Sequence, residues 1–373
     1  MLGRTRRLVL LAEGSFTPLD AKTAVGVLRY RPESVVAVLD STRAGRTASE
    51  CVGVGGEIPV VADLTAAAEC GANDLLIGIA PQGGDLPAPF RAIIREALER
   101  GWDVLSGLHR FLEDDRELAA LAARNGSRLI DVRRPPTVLK IGASRAAGLD
   151  ALVVLTVGTD CNVGKMTAAL ELRRGLAARG VRAAFVATGQ TGIFIAGDGV
   201  AVDAVPSDFV AGAVEERVIE AARSADVVLV EGQGALQHPA YSGVTLGLLH
   251  GAAPAALVLC HDATRSRIRR SDVDSDGIPI ASLPQVRETY ETAAGWIVPA
   301  PVVGAALLTR GLDEAAARAV CERAAGALGV PATDPVRFEI APLVAAIEAA
   351  LERRRAARRP DTASAGRSHA PHA

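Results

Sequence analysis

A chain of 373 residues, 49% apolar, 23% charged and only 3% aromatic, is long enough for two domains with buried cores. Its formal net charge of −2 excludes a nucleic-acid coat or a polybasic membrane binder, since phosphate surfaces are gripped by excess Lys and Arg. The five cysteines (Cys51, Cys70, Cys161, Cys260, Cys321) are scattered without CxxC spacing, which points away from a disulfide framework or a zinc knuckle and fits a reducing cytoplasm.

The first segment alternates strands and helices. Arg7–Ala12 and Ser34–Leu39 read as buried strands around a helix, Lys22–Arg29. A strand over Asp74–Ala80, an amphipathic helix over Pro89–Arg100, strands over Trp102–Ser106 and Arg128–Asp131, and a helix starting near His109 complete the pattern. Such alternation predicts a parallel, doubly wound sheet of Rossmann type. Arg4, Arg6 and Arg7 before an apolar run imitate a secretion signal, but Glu13 cuts the run after about five residues where roughly 7–15 are needed, so no export is expected. No G-x-G-x-x-G follows the first strand. Asp40 sits where a ribose-binding acid would stand, yet without those glycines a nicotinamide enzyme is disfavoured.

Pro135, Pro136 and Gly142 interrupt the alternation and place a domain boundary near residue 142. We therefore expect a Rossmann-like N-terminal domain over 1–142, a P-loop-like α/β domain over 143–351 and a disordered Arg/Ala/Pro tail over 352–373. Strands in the second domain are expected at Ala151–Val157, Ala183–Ala187, Asp226–Val230 and Ala255–Cys260. The apolar stretch from Ala293 to Leu308 contains Pro299 and Pro301 and is shorter than the roughly 18 residues of a membrane span. No membrane or nucleic-acid partner is expected; a small-molecule substrate is, and a homo-oligomer is compatible.

The strongest chemical signal is the run Gly158, Thr159, Asp160, Cys161, Asn162, Val163, Gly164, Lys165, Met166 and Thr167, between a strand and a helix that Gly180 ends. A glycine-rich turn at a helix N-terminus gathers N–H groups and the positive end of the helix dipole around a phosphate, with Lys165 as a mobile point charge. Only 3 lysines stand against 38 arginines, so Lys165 is the clearest case of a compact ammonium being kept, while Lys22 and Lys140 have no assignable place. The turn has one residue more between its glycines than G-x-x-x-x-G-K-[ST]. Met166 replaces the hydroxyl that normally ligates Mg²⁺, and a thioether suits a hard cation poorly; Thr167 follows one position later. The turn is therefore expected to grip a cofactor diphosphate rather than to position a γ-phosphate.

Other candidates follow strand ends. Glu231 ends a buried strand and precedes two glycines; it could hold Mg²⁺ or water, take a proton from an attacking amine, or cap the next loop. Gln190 lies between Gly189 and Gly192, and Asp203 and Asp208 could cap helices or do chemistry. His238 is a candidate acid–base group, with Tyr241 and Ser242 in the same turn. His261 and Asp262 end a strand before Arg265, Arg267, Arg269 and Arg270, of which Arg265 is the candidate for a carboxylate or sugar phosphate. With no HExxH, no paired-Cys site and no Gx[ST]xG elbow, no metal site is expected.

Taken together, Asp20–Ala24 (DAKTA), Leu28–Arg31 (LRYR), the 158–167 run, Ala187–Gly192 (ATGQTG), Glu231–Gly234 (EGQG) and His238–Gly243 (HPAYSG) resemble the D-glutamate N-acetyltransferase family over about residues 8 to 350. The resemblance implies a Rossmann-like domain, a P-loop-like domain, and acetyl transfer from acetyl-CoA to the amine of D-glutamate, in a catabolic route shared with a racemase acting on the N-acetylated product. A phosphate cradle lacking a full Mg²⁺ set suits acetyl-CoA, which carries a diphosphate and a 3′-phosphate. Direct attack of the neutral amine on the thioester would then use Glu231 or His238 as base, with Gln190, Tyr241 and Arg265 toward substrate. The turn and Glu231 also resemble dethiobiotin synthetase, so an ATP/Mg-dependent ligase or kinase is the alternative, with a non-catalytic nucleotide-binding regulator as a third.

Overall fold

The computed structural model describes residues 6–79, 86–268 and 277–358. They form two compact units, the first built from residues up to Ala143 together with Val186–Arg217, the second from Ser144–Phe185, Val218–Ile268 and residues from Ile278 onward.

In the first unit β1 (Leu8–Leu11), α1 (Lys22–Tyr30), β2 (Val35–Leu39), α2 (Ala48–Val52), β3 (Val60–Val61), α3 (Leu64–Glu69), β4 (Asp74–Ile77), α4 (Ala88–Glu99), β5 (Asp103–Ser106), α5 (Arg116–Asn125) and β6 (Leu129–Asp131) follow in order. The sheet runs β3-β2-β1-β4-β5-β6 and every pair is parallel, the doubly wound order of Rossmann folds. All four residues of β1 are buried, as expected of a strand covered on both faces, and Leu10 sits opposite Val38 and Leu76. The helix expected near His109 begins only at Arg116. The Asp131 carboxylate takes the N–H groups of Leu112 and Glu113, which holds 112–114 in a 3-10 turn, and Asp115 caps α5 by accepting from Glu117 and Leu118. The predicted strand Asp74–Ala80 ends at Ile77, and Ala80 itself lies outside the described residues. Asp40 is not a ribose ligand in waiting: its carboxylate accepts from Gly14, Phe16 and Thr42, so it ties the loops after β1 and β2 together.

The second unit starts with β7 (Leu152–Gly158), α6 (Lys165–Ala178) and β8 (Ala183–Val186); α7 (Gln190–Ala196) and the start of α8 (Val210–Ala222) cluster with the first unit. This part of the chain was expected in the second domain. Its transfer follows from α7 burying Ile193, Phe194 and Ile195 and packing on α1. Then come β9 (Val227–Val230), α9 (Ser242–Ala252), β10 (Ala256–Asp262), α10 (Leu283–Gly295), β11 (Val302–Leu308), α11 (Glu314–Leu328), β12 (Ala332–Thr333) and α12 (Ala341–Arg358). The order β12-β11-β10-β7-β9-β8 puts β7 between β10 and β9 and parallel to both. Leu152 and Val154 of β7, Leu229 of β9 and Val258 of β10 pack under Leu172 and Leu176 of α6 and Val344 and Ile347 of α12. Each such side chain contributes about 1.5–3 kcal/mol by leaving water.

The stretch Ala293–Leu308 divides into the end of α10, a proline-containing turn and β11; among the described residues no helix is long and apolar enough to cross a membrane. The tail expected to be disordered from Glu352 is helical as far as Arg358, because its arginines find acceptors: Arg354 donates to Leu149 O, Arg358 to Gly148 O and the Asp150 carboxylate, and Arg355 pairs with Asp226. The rest of that tail, 359–373, lies outside the described residues, as do Arg269 and Arg270.

Candidate functional site

Within the second unit the carboxyl ends of β7, β9 and β10 are adjacent, and each carries predicted site residues, as the ligand-binding edge of an open α/β sheet should. β7 delivers the turn that leads into α6. Asn162 (φ 56°) and Gly164 (φ 92°) both occupy the left-handed region, the first tolerated by a short polar side chain, the second natural only for glycine. Gly164 is the N-cap residue of α6, and no side chain caps that end. The N-cap position of this 14-residue helix thus offers no capping side chain, an arrangement suited to an anion.

The turn is braced on all sides. Thr159 N–H donates to Cys260 O (3.1 Å), and Thr159 Oγ1 lies 2.9 Å from His261 Nδ1. Asp160, fully buried, accepts from Cys161 N–H (2.7 Å) and from Arg265 Nη1 (2.7 Å); the same Nη1 reaches Cys161 O at 2.7 Å. Tyr290 of α10 donates to Gly158 O (2.8 Å) and accepts from Leu236 N–H (3.1 Å). Val163 is buried beneath, while Met166 and Thr167 are half-buried on the first turn of α6. Burial pushes the thiol of Cys260 up to about 12 and the Tyr290 hydroxyl well above its usual range, so neither ionises near neutrality. Burial also lowers the pKa of His261, with Asp262 opposing and Arg265 assisting.

Lys165 is 6% exposed and its Nζ donates to Asp160 O at 2.8 Å. Loss of water lowers its pKa, and the negative charges of Asp160 and Glu231 push back. Glu231, buried after β9, is thereby electrostatically tied to the turn. Its position depends on Gly232, whose N–H donates to Thr156 Oγ1 (2.9 Å) and where a Cβ would lie 1.7 Å from Thr156 O.

His238 is buried, with Nε2 4.0 Å from Asp160 Oδ1 and its ring 4.5 Å from that of Tyr241, which is half exposed. His238 Nδ1 accepts the Ala240 N–H (3.1 Å), so the neutral ring carries its proton on Nε2. Donor atoms of Asp160, Cys161 and His238 lie within 4.8 Å of one another, the spacing of a metal set. The chemistry does not fit one. A metal on Nε2 needs that lone pair free and the other ring nitrogen donating, whereas Nδ1 here accepts, and Asp160 is already held by Arg265.

Of the sequence candidates, the structure gathers Gly158–Thr167, Glu231, His238, Tyr241, Arg265, His261 and Asp262 in the second unit. Arg265 is spent on bracing the turn. Gln190 belongs to the first unit, where it contacts Arg133 and Thr23, and Asp203 pairs with Arg133. Neither Asp203 nor Asp208 caps a helix. Tyr290 and Thr156 were missed: one arrives from a helix 132 positions away, the other reads as an ordinary strand residue.

Residues 140–344 match the DUF1611 P-loop domain and residues 41–135 the DUF1611_N Rossmann-like domain, both described as domains of unknown function. The chain is 38% identical over 338 residues to D-glutamate N-acetyltransferase of Tritonibacter scottomollicae, covering 89% of this chain and 95% of the relative. It is 39% identical over 283 residues to a protein of the same name from a Pseudoalteromonas species, covering 75% and 82%. A crystal structure of a DUF1611 family protein from Anabaena variabilis superposes with a TM-score of 0.86 at 39% identity, over 92% of this chain and 99% of that one. The chain therefore belongs to the DUF1611 family, with its Rossmann-like and P-loop domains, and is an enzyme of the acyltransferase class.

Proposed function

We propose that this protein transfers the acetyl group of acetyl-CoA to the amino group of D-glutamate or a related amino acid, as a step in D-amino-acid breakdown. The names of its two relatives support the reaction class, and one observation carries the reading of the site. The uncapped end of α6 is backed by a buried ammonium, with Met166 where a divalent-ion ligand would stand. That cradle suits the diphosphate of a CoA thioester held without Mg²⁺.

In this reading Lys165 exchanges its bond to Asp160 O for a phosphate oxygen, and the incoming negative charge restores its pKa. Glu231 is the base: a carboxylate at a strand end, able to take the proton from the acceptor ammonium so that the nitrogen lone pair can attack. His238 does not share that role, because its accepting nitrogen is engaged and its other nitrogen already carries the proton. Its Nε2–H is instead a donor for the oxygen that gains charge as the N–C bond forms and the C–S bond breaks. Of the two protons the ammonium nitrogen gives up on becoming an amide, one leaves on the thiolate and the other passes to solvent.

Thiol release from acetyl-CoA, followed with D-glutamate, L-glutamate or no amino acid in the presence of EDTA, tests the proposal. D-glutamate-dependent release that EDTA does not diminish is expected. No release with either amino acid, or turnover only with ATP and Mg²⁺, overturns it; the latter result would select the ligase or kinase reading.

A further inference from the structure

The first unit holds a polar cluster that the phosphate turn does not use. It joins two motifs far apart in the chain. Thr23, buried on the first turn of α1, has its hydroxyl 3.0 Å from that of Thr191 on α7, 168 positions later, and Gln190 Nε2 donates to Thr23 Oγ1 at 3.5 Å. Arg133, two residues beyond β6, closes the group. Its Nε donates to Gln190 Oε1 (2.8 Å) and to Gly107 O (2.6 Å), and its Nη1 pairs with Asp203. Gly107 follows β5, and a Cβ there would lie 2.9 Å from the Gln190 side chain, so the bare backbone makes room for the amide.

The cluster thus lies beyond the carboxyl ends of β5 and β6, the edge where doubly wound sheets take ligands. The opposite edge shows what a purely structural arginine looks like. Arg6 sits between Asp74 and Asp103, the first residues of β4 and β5, and one guanidinium nitrogen meets both carboxylates. Arg133 stands nearer solvent: its side chain is 11% exposed against 5% for Arg6, it pairs with an Asp203 that is 38% exposed, and among the described residues its Nη2 has no hydrogen-bond partner. Burial brings its pKa down to about 10, which still leaves it a cation at neutral pH. Of the two threonine hydroxyl protons, one closes the Thr23–Thr191 pair and the other is left to donate. Two N–H groups of a planar cation and a hydroxyl, all donors, match the oxygens of a carboxylate.

We propose that Arg133, Gln190, Thr23 and Thr191 form a carboxylate-binding site in the first unit for an amino-acid-sized ligand. The choice of D-glutamate as that ligand rests on the proposed acetyl transfer; the site itself does not. Calorimetric titration of the full-length protein with D-glutamate and with glutarate, without acetyl-CoA, tests it in wild type, Arg133→Met and Gln190→Glu. The glutamate variant is nearly isosteric and keeps an acceptor for Arg133 Nε, so it preserves the fold where loss of the arginine fails to, while setting a negative charge against the ligand. Binding of at least one of the two compounds to wild type, weakened tenfold or more in Gln190→Glu and in any folded Arg133→Met, with coenzyme A affinity within twofold, is expected. Absence of binding of both compounds to wild type, or equal affinity in Gln190→Glu, overturns the site. If glutarate binds in an Arg133-dependent way while D-glutamate supports no thiol release, the site stands and the acetyl-transfer reading falls.

Discussion

The two sheets of this protein are built alike and end differently. Each is six-stranded, with parallel central strands buried on both faces. In the second unit the first strand, β7, runs into a glycine-bearing turn and a helix whose N-cap is Gly164, so backbone amides would form the surface of the proposed phosphate site. In the first unit the corresponding strand, β1, is followed by a loop whose amides are consumed by Asp40, and helix α1 begins only at Lys22. The proposed carboxylate site there relies instead on side chains, above all Arg133 and Gln190. The architecture fixes which edge of a sheet can hold a ligand; the residues of the first turn decide whether backbone or side chains do the holding.

The contrast can be broken most severely at glycine. Gly232→Ala sets a Cβ 1.7 Å from the Thr156 carbonyl oxygen, backbone against backbone, and should cost more than about 4 kcal/mol, leaving the protein insoluble or sharply lower in Tm. Gly107→Ala meets only the Gln190 side chain at 2.9 Å and should cost about 1–3 kcal/mol. Thermal melts of the pair compare a site built from main chain with one built from side chains.

Next in size is the division of labour between Glu231 and His238. Glu231→Gln should lower kcat by about 10² to 10⁴. His238→Gln keeps an N–H donor and should lose much less, whereas a histidine acting as base would lose as much as the glutamate. Steady-state rates in saturating acetyl-CoA separate the two.

A smaller effect is expected from pH. The buried Lys165 has a pKa below 10.5, and only its protonated form attracts phosphate. Affinity for acetyl-CoA should therefore fall as pH rises through that lowered value, approaching tenfold per unit above it, with the limb in kcat lying at higher pH than that in kcat/KM because bound phosphate stabilises the ammonium. Burying the charge also penalises folding while the lysine is protonated, so its contribution to stability improves as pH climbs between the folded value and 10.5. Arg133, lowered only to about 10, should leave D-glutamate binding flat across neutral pH. The smallest effect is Met166→Ser. It restores a hydroxyl beside the turn, and acetyl transfer should change by less than about threefold with or without Mg²⁺, a ratio read directly from initial rates.

Much of this was legible in the sequence because the signals are local. Apolar runs such as Leu152–Val157 announce buried parallel strands, and the glycines and lysine of 158–165 announce the turn. Short strands escaped: Val60–Val61 is two residues long, and Val302–Leu308 was masked by the prolines before it. Side-chain partnerships escaped more completely. Nothing in the run around Arg265 says that it will brace Asp160, nor that Tyr290 will hold Gly158, because those pairings span more than a hundred residues and are decided by packing. The same holds for Gln190, whose glycine neighbours marked it but whose partner Arg133 lies 57 positions earlier. The polar end of α12 was misread because composition counts charges and not the carbonyls waiting to receive them.

Central to the proposed function is that main-chain amides and one ammonium hold a phosphate-bearing thioester without a divalent ion. Calorimetric titration of coenzyme A in EDTA, into wild type and into folded Lys165→Met, measures this directly. Binding by wild type that weakens about a hundredfold in the variant, roughly the 3 kcal/mol of a lost charge-assisted contact, is predicted. Equal affinity in the two proteins, or binding by wild type only when Mg²⁺ is added back, would contradict it.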